Sequence, residues 1–149
     1  MEISTPIQSI LSRKGAEVWS VAPDDTVLDA ISRMAMYDVG ALPVLQGGRL
    51  LGMISERDYT RKIILFGRSS RDTSVAEIMT RDPIVVEPGD SVQDCMQLMT
   101  DNRVRHLPVM AGGIVVGMLS IGDVVNWIIG AQDAALAEME KFVTGAYPG

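Results

Sequence analysis

The chain is poor in the residues that build metal centres and disulfides: it has one cysteine and one histidine in 149 residues. A lone Cys95 excludes an internal disulfide and fits a reducing compartment. With His106 as the only imidazole, no Cys/His metal cluster can be assembled, so no metal ligand is assigned. A basic excess is missing too. The net charge of −6 argues against general nucleic-acid binding, which needs surplus Lys and Arg to neutralise phosphates. Apolar runs stay far below the ~20 residues of a membrane span, so no membrane association is expected. Met1–Pro6 has neither a basic n-region nor a long apolar h-region, so we expect no signal peptide and a cytosolic protein. No nucleophile–base pair is placed by sequence, and no second acid or base completes a mechanism around Arg105 and His106, so no catalytic residue is assigned.

What remains is ordinary for a globular protein: 47% apolar and 21% charged residues, in a length that suits one compact domain or two small halves sharing a core. The informative feature is a stretch that occurs twice. Gly52-Met53-Ile54-Ser55-Glu56-Arg57-Asp58 returns as Gly117-Met118-Leu119-Ser120-Ile121-Gly122-Asp123. Each copy is an apolar run that reads as a strand, then Ser-x-x-Asp, then a second apolar run. Ser-x-x-Asp is readable as a capping box, in which the hydroxyl and the acid satisfy orphan N–H groups of a first helical turn. It is also readable as a strand-to-helix junction whose N–H groups, hydroxyl and carboxylate face a polar ligand.

The stretch belongs to a larger repeat. A shift of 65 residues aligns Val21–Leu65 with Val86–Gly130 without a gap, and 18 of the 45 pairs are identical. Unrelated segments would share about three on ordinary residue usage. Each unit must bury its apolar face against the other, and two units are too few for a solenoid, so a closed pseudo-twofold pair is expected.

The apolar pattern predicts the elements. Ile7, Ile10 and Leu11 suggest a short helix after Pro6, ending near Lys14-Gly15. Val18–Val21 reads as a brief strand stopped by Pro23. Thr26 and Ser91 precede helical stripes through Val27, Ala30, Ile31 and Met34, and through Val92, Cys95, Met96 and Met99. Cys95 thus aligns with Ala30 on a buried face, as a packing residue. Leu42–Leu45 and Leu107–Met110 follow as strands, with Gly47-Gly48 and Gly112-Gly113 supplying φ > 0 for a hairpin turn. Strands Leu50–Ile54 and Val115–Leu119 lead into the junctions, and the helices beyond carry Ile63-Ile64 and Ile128-Ile129 inward. Between the units come a polar linker, Arg68–Asp72, and a helical turn at Val75–Met79. After Gly130, the stripe Ala135, Leu136, Met139, Phe142 and Val143 has no partner inside the duplication. It is expected to pack on another subunit or back over the core.

The succession Val-x-Pro-x-Asp/Gly-Thr/Ser-Val, Leu-Pro-Val, Gly-Gly and Gly-apolar-apolar-Ser-x-x-Asp resembles the CBS domain, named for cystathionine β-synthase. The duplication resembles the tandem pair called a Bateman module, of the stand-alone bacterial type, over residues 6 to 130. The resemblance implies an α/β (α+β) fold of two pseudo-twofold βαββα units packed sheet to sheet, over 6–67 and 74–130, with 131–149 as a C-terminal amphipathic helix and tail. It implies a homodimer, an unidentified regulated protein, and clefts for adenosine-containing ligands: AMP, ADP, ATP or NAD, with S-adenosylmethionine ranked lower. Such members act as sensors or regulatory subunits, not enzymes.

By direct match, the resemblance implies that Asp58 and Asp123 take ribose hydroxyls and that Ser55 and Ser120 lie near phosphate. The chemistry is sound, since a carboxylate accepts two hydroxyls in charge-assisted bonds and a helix N-terminus favours an anion. Gly40-Ala41-Leu42 and Arg105-His106-Leu107 match the adenine-pocket strands, and Ile54 and Leu119 are candidate walls. The Asp123 cleft is expected to borrow Ser20, and the Asp58 cleft Val85. Arg105 and His106 replace Gly40 and Ala41, adding phosphate donors beside Asp123. Arg49–Arg71 carries six basic residues against Glu56 and Asp58. Arg57 and Arg61 in that segment read either as a solvated face with Asp58···Lys62 support or as a phosphate clamp. The alternative to a ligand sensor is a structural dimerisation module with vestigial clefts.

Overall fold

The computed structural model describes residues 4–15 and 17–144, excluding the side chains at 135 and 141–144. Helix α1 (Gln8–Lys14) follows Pro6 and stops at Gly15, whose φ of 106° a side chain would resist. Helix α2 (Val27–Tyr37) starts on a complete capping box between Thr26 and Asp29. Strands β1 (Ala41–Gln46) and β2 (Arg49–Ser55) form a hairpin through Gly47 and Gly48, at φ 58° and 80°. A single helical turn, α3 (Glu56–Asp58), then passes into a π-helical stretch, Tyr59–Ile64. Helix α4 (Val75–Ile78) and the short strand β3 (Thr80–Arg81) lead to α5 (Val92–Asn102). The second hairpin, β4 (His106–Ala111) and β5 (Ile114–Ser120), repeats the first, down to the irregularity after its fourth residue pair from the junction end. Helix α6 (Ile121–Thr144) is the last element among the described residues.

Two apolar cores result, and each is completed by chain from the other half. Val75, Ile78 and Met79 lie in the core of Val21, Val27, Ala30, Leu42 and Ile54. Ile7, Ile10 and Leu11 lie in that of Val86, Val92, Cys95, Leu107 and Leu119. Hydrogen bonds fix both exchanges: Val27 N donates to Thr73 O and Val75 N to Asp25 O, while Val92 N donates to Thr5 O and Ile7 N to Asp90 O. Each fully buried aliphatic side chain contributes about 1.5–3 kcal/mol, so neither core is complete without its borrowed helix. The exchange also explains the glycine that opens each repeated stretch. A Cβ on Gly52 would sit 2.5 Å from Thr80 O and 3.0 Å from Met79 Sδ, and one on Gly117 would sit 2.9 Å from Leu11 Cδ2.

Three expectations are corrected. Val18–Val21 forms no strand: only Val21 pairs, in a one-residue parallel bridge to Val44, donating to Pro43 O and accepting from Leu45 N. Val86 does the same with Val109, Pro108 and Met110. Ile63 and Ile128 face inward, but Ile64 and Ile129 are exposed, because successive helical residues point about 100° apart. The helix after Asp58 is π rather than α: Leu65 N bonds Thr60 O and Arg68 N bonds Ile63 O. Thr60 Oγ1 donates to Glu56 O there, a back-bond that loosens the regular ladder.

On α6, Leu136 and Met139 are exposed and do not fold back over the core. The side chains of Ala135, Phe142 and Val143 lie outside the described residues.

Candidate ligand clefts

Both Ser-x-x-Asp junctions form capping boxes. Asp58 N donates to Ser55 Oγ (3.2 Å), and Ser55 N returns a bond to Asp58 Oδ2 (2.9 Å). Asp123 N donates to Ser120 Oγ (3.1 Å), and Ser120 N to Asp123 Oδ2 (2.9 Å). Each carboxylate also meets a lysine. Lys62 Nζ lies 3.0 Å from Asp58 Oδ1, the i,i+4 support read from the sequence, and also donates to Ile78 O. Lys14 Nζ lies 2.8 Å from Asp123 Oδ2 and donates to Met118 O. Asp123 Oδ1 has no partner among the described residues, whereas both oxygens of Asp58 are engaged.

Each junction opens on a cleft. The Asp123 cleft encloses about 790 Å³ and the Asp58 cleft about 650 Å³, both within the range of small-molecule sites. Gly40, Ala41, Arg105 and His106 line both, so the two clefts share one wall. The His106 ring rests against Gly40, where a Cβ would come 3.1 Å from Nε2. Burial holds the His106 imidazole below its ordinary pKa; Lys14, Arg105 and Arg57 push the same way and Asp123 opposes.

Of the residues expected at the sites, Leu42, Ser120 and Asp123 also line the first cleft, and Ser55, Arg57 and Asp58 the second. Ser20, Ile54, Val85, Leu107 and Leu119 line neither. Extended chain turns alternate side chains to opposite sides. Trp19 therefore faces the Asp123 cleft in place of Ser20, and Ile84 the Asp58 cleft in place of Val85. By the same alternation Met53 and Met118 reach the clefts while Ile54 and Leu119 stay fully buried in the cores.

The clefts are lined differently. Trp19 and Tyr37 stack at 3.8 Å with planes 3° apart beside the Asp123 cleft. Their counterparts 65 residues on, Ile84 and Asn102, offer no aromatic surface to the other. The Asp58 cleft instead gathers Arg57, Arg61, Lys62 and Arg103, beside the shared Arg105. Sequence reasoning missed Trp19, Tyr37, Lys14 and Arg103; strict period-two reading around Val21 would have found Trp19.

Two interlocked copies of one unit, each with a carboxylate-bearing helix start open to a ligand-sized cleft, define a tandem two-cleft module. The CBS domain profile matches residues 7–65 and 75–130. CBS domain-containing protein CBSX3, mitochondrial, of Arabidopsis thaliana is 43% identical over 154 residues, spanning 97% of this chain and 74% of that protein. CBS domain-containing protein YhcV of Bacillus subtilis (strain 168) is 32% identical over 117 residues, 78% of this chain and 83% of its own. The solved structure of a CBS-domain protein from Burkholderia ambifaria MC40-6, described as acting in signal transduction, superposes with a TM-score of 0.83 at 45% identity, covering 86% and 96% of the two chains. The chain belongs to the CBS-domain family, as a tandem pair.

Proposed function

We propose that the protein is a non-catalytic regulatory module that binds adenine nucleotides, AMP, ADP, ATP or NAD, in its two clefts. The observation that carries this reading is the repeated junction: in both units a carboxylate at a helix start opens on a ligand-sized cleft. At Asp123, the unpartnered Oδ1 suits a ribose hydroxyl and the Trp19–Tyr37 pair suits a flat base. The wall common to both clefts gives ligand binding a route to shift one unit against the other, provided the ligand favours one arrangement. The signal-transduction description of the Burkholderia relative is consistent with such a role.

The module acts as a homodimer in this reading. Val125, Ile129, Leu136 and Met139 are exposed along α6 at helical spacing, as a face for a second subunit. The buried free thiol of Cys95 suits a reducing compartment, cytosol or, as the name of the Arabidopsis relative suggests, mitochondria. No helix among the described residues is long and apolar enough to cross a membrane.

The complete capping boxes favour a second reading: a structural dimerisation module in which Ser55 and Ser120 serve only as caps. Calorimetric titration with AMP, ADP, ATP, NAD and S-adenosylmethionine separates the two. Under the first reading at least one nucleotide gives a saturable binding heat, and Asp58→Ala and Asp123→Ala each remove one site from a folded protein. Silence from every ligand leaves only the structural role.

A further inference from the structure

We infer that the two clefts divide the ligand chemistry between them, with the Asp58 cleft taking a diphosphate or longer phosphate chain. This deepens the adenine-nucleotide reading above and rests on it. Five cations line the Asp58 cleft, against the acids Glu56, Asp58 and Asp82. Asp58 is already paired with Lys62, so it does not consume the arginines. Among the described residues, the guanidinium groups of Arg61, Arg103 and Arg105 have no hydrogen-bond or ion-pair partner. They come from three places in the chain: the π-helical stretch, the left-handed C-cap of α5, and the approach to β4. Arg61 and Arg103 line this cleft alone and Arg105 the wall it shares, and three guanidinium groups from separate elements make a surface for a polyanion, because each presents a planar fork of donors that matches phosphate oxygens.

The other cleft has the opposite balance. Lys14 is committed to Asp123 and to Met118 O, and Glu17, Asp38 and Asp123 outnumber the cations there. Its distinctive surface is the aromatic pair. A base-bearing ligand with little phosphate fits that cleft, and one with a phosphate chain fits the Asp58 cleft.

The test is calorimetric titration of the intact chain, in EDTA at fixed ionic strength, with adenosine, AMP, ADP and sodium pyrophosphate. The same titrations are made on Arg61→Gln/Arg103→Gln, its fold checked by circular dichroism. We expect ADP to bind one site about tenfold tighter than AMP, as one added charge-assisted contact gives. Pyrophosphate should compete with ADP at that site. The double variant should lose tenfold or more in ADP and pyrophosphate affinity while adenosine binding changes less than twofold. Equal affinities for ADP and AMP, no binding of ADP, or a double variant that weakens adenosine as much as ADP would overturn the inference. Binding of adenosine and AMP without pyrophosphate removes the anion site and leaves the nucleotide reading standing. Arg61- and Arg103-dependent binding of pyrophosphate with no response to adenosine or AMP keeps the anion site and removes the nucleotide reading.

Discussion

Lys14 Nζ lies 2.8 Å from Asp123 Oδ2, tying the end of α1 to the start of α6 across 109 residues. The pair is partly exposed, with the Lys14 side chain 36% accessible and that of Asp123 21%, so its own worth is about 0–1 kcal/mol. Lys14→Met should therefore lower stability by no more than about 1 kcal/mol. Asp123→Ala should cost more, about 1–2 kcal/mol, since it also strips the acceptor from Ser120 N. Urea unfolding of the two variants ranks them; equal losses would mean the cap contributes nothing.

Gly52 and Gly117 hold equivalent positions against different neighbours. A Cβ on Gly52 meets the backbone carbonyl of Thr80, which cannot swing away, whereas one on Gly117 meets the flexible end of Leu11. Gly52→Ala should cost about 2–3 kcal/mol and Gly117→Ala about 1 kcal/mol or less. In a chain of this size each kcal/mol moves the melting temperature by about 2–4 °C, so a thermal melt resolves the difference.

Cys95 is fully buried, and desolvation, with Asp90 and Asp94 adding, pushes its thiol pKa up to about 11. The native protein should resist thiol-specific reagents at pH 8 and react fully in denaturant. Rapid native labelling would show that the core around α5 opens readily.

His106 gives a pH test with a clean readout, because it is the only imidazole in the sequence. Its folded pKa lies below the ordinary value of 6.5. In the window between the folded value and 6.5 the unfolded chain binds the extra proton, so His106's contribution to stability rises with pH there and is lost on acidification. The imidazole resonance should titrate below 6.5, and His106→Gln should flatten the stability difference between about pH 5.5 and 7.5 relative to the parent. A titration above 6.5 would mean that acidic neighbours outweigh burial at His106.

The duplication, the hairpins and the capped junctions were legible because they depend on local chemistry: Gly47-Gly48 demands its turn, and Ser55 and Asp58 stand three apart, where a capping box closes. The exchange of α1 and α4 was not legible from periodicity. An amphipathic turn records that it has an apolar face, not which core it enters. The offset between these helices is also 68 residues rather than 65 (Ile7 with Val75, Ile10 with Ile78, Leu11 with Met79), so it falls outside the ungapped repeat. Ser20 and Val85 were displaced by one residue because they were placed by the family pattern and not by alternation outward from the bridged Val21 and Val86, which puts Trp19 and Ile84 on the cleft side. Arg103 reaches its cleft from a left-handed C-cap, φ 53°, that a helix ending in Asp101-Asn102 does not announce.

The crossed lead-in helices also set the smallest piece of this fold that can be inherited, transplanted or cut away. A fragment ending in the Arg68–Asp72 linker would keep α1 without the core it fills and keep the first core without α4. A fragment beginning there would have the converse defects. Neither half completes its own core, so the pair is the smallest piece of this chain that encloses both cores.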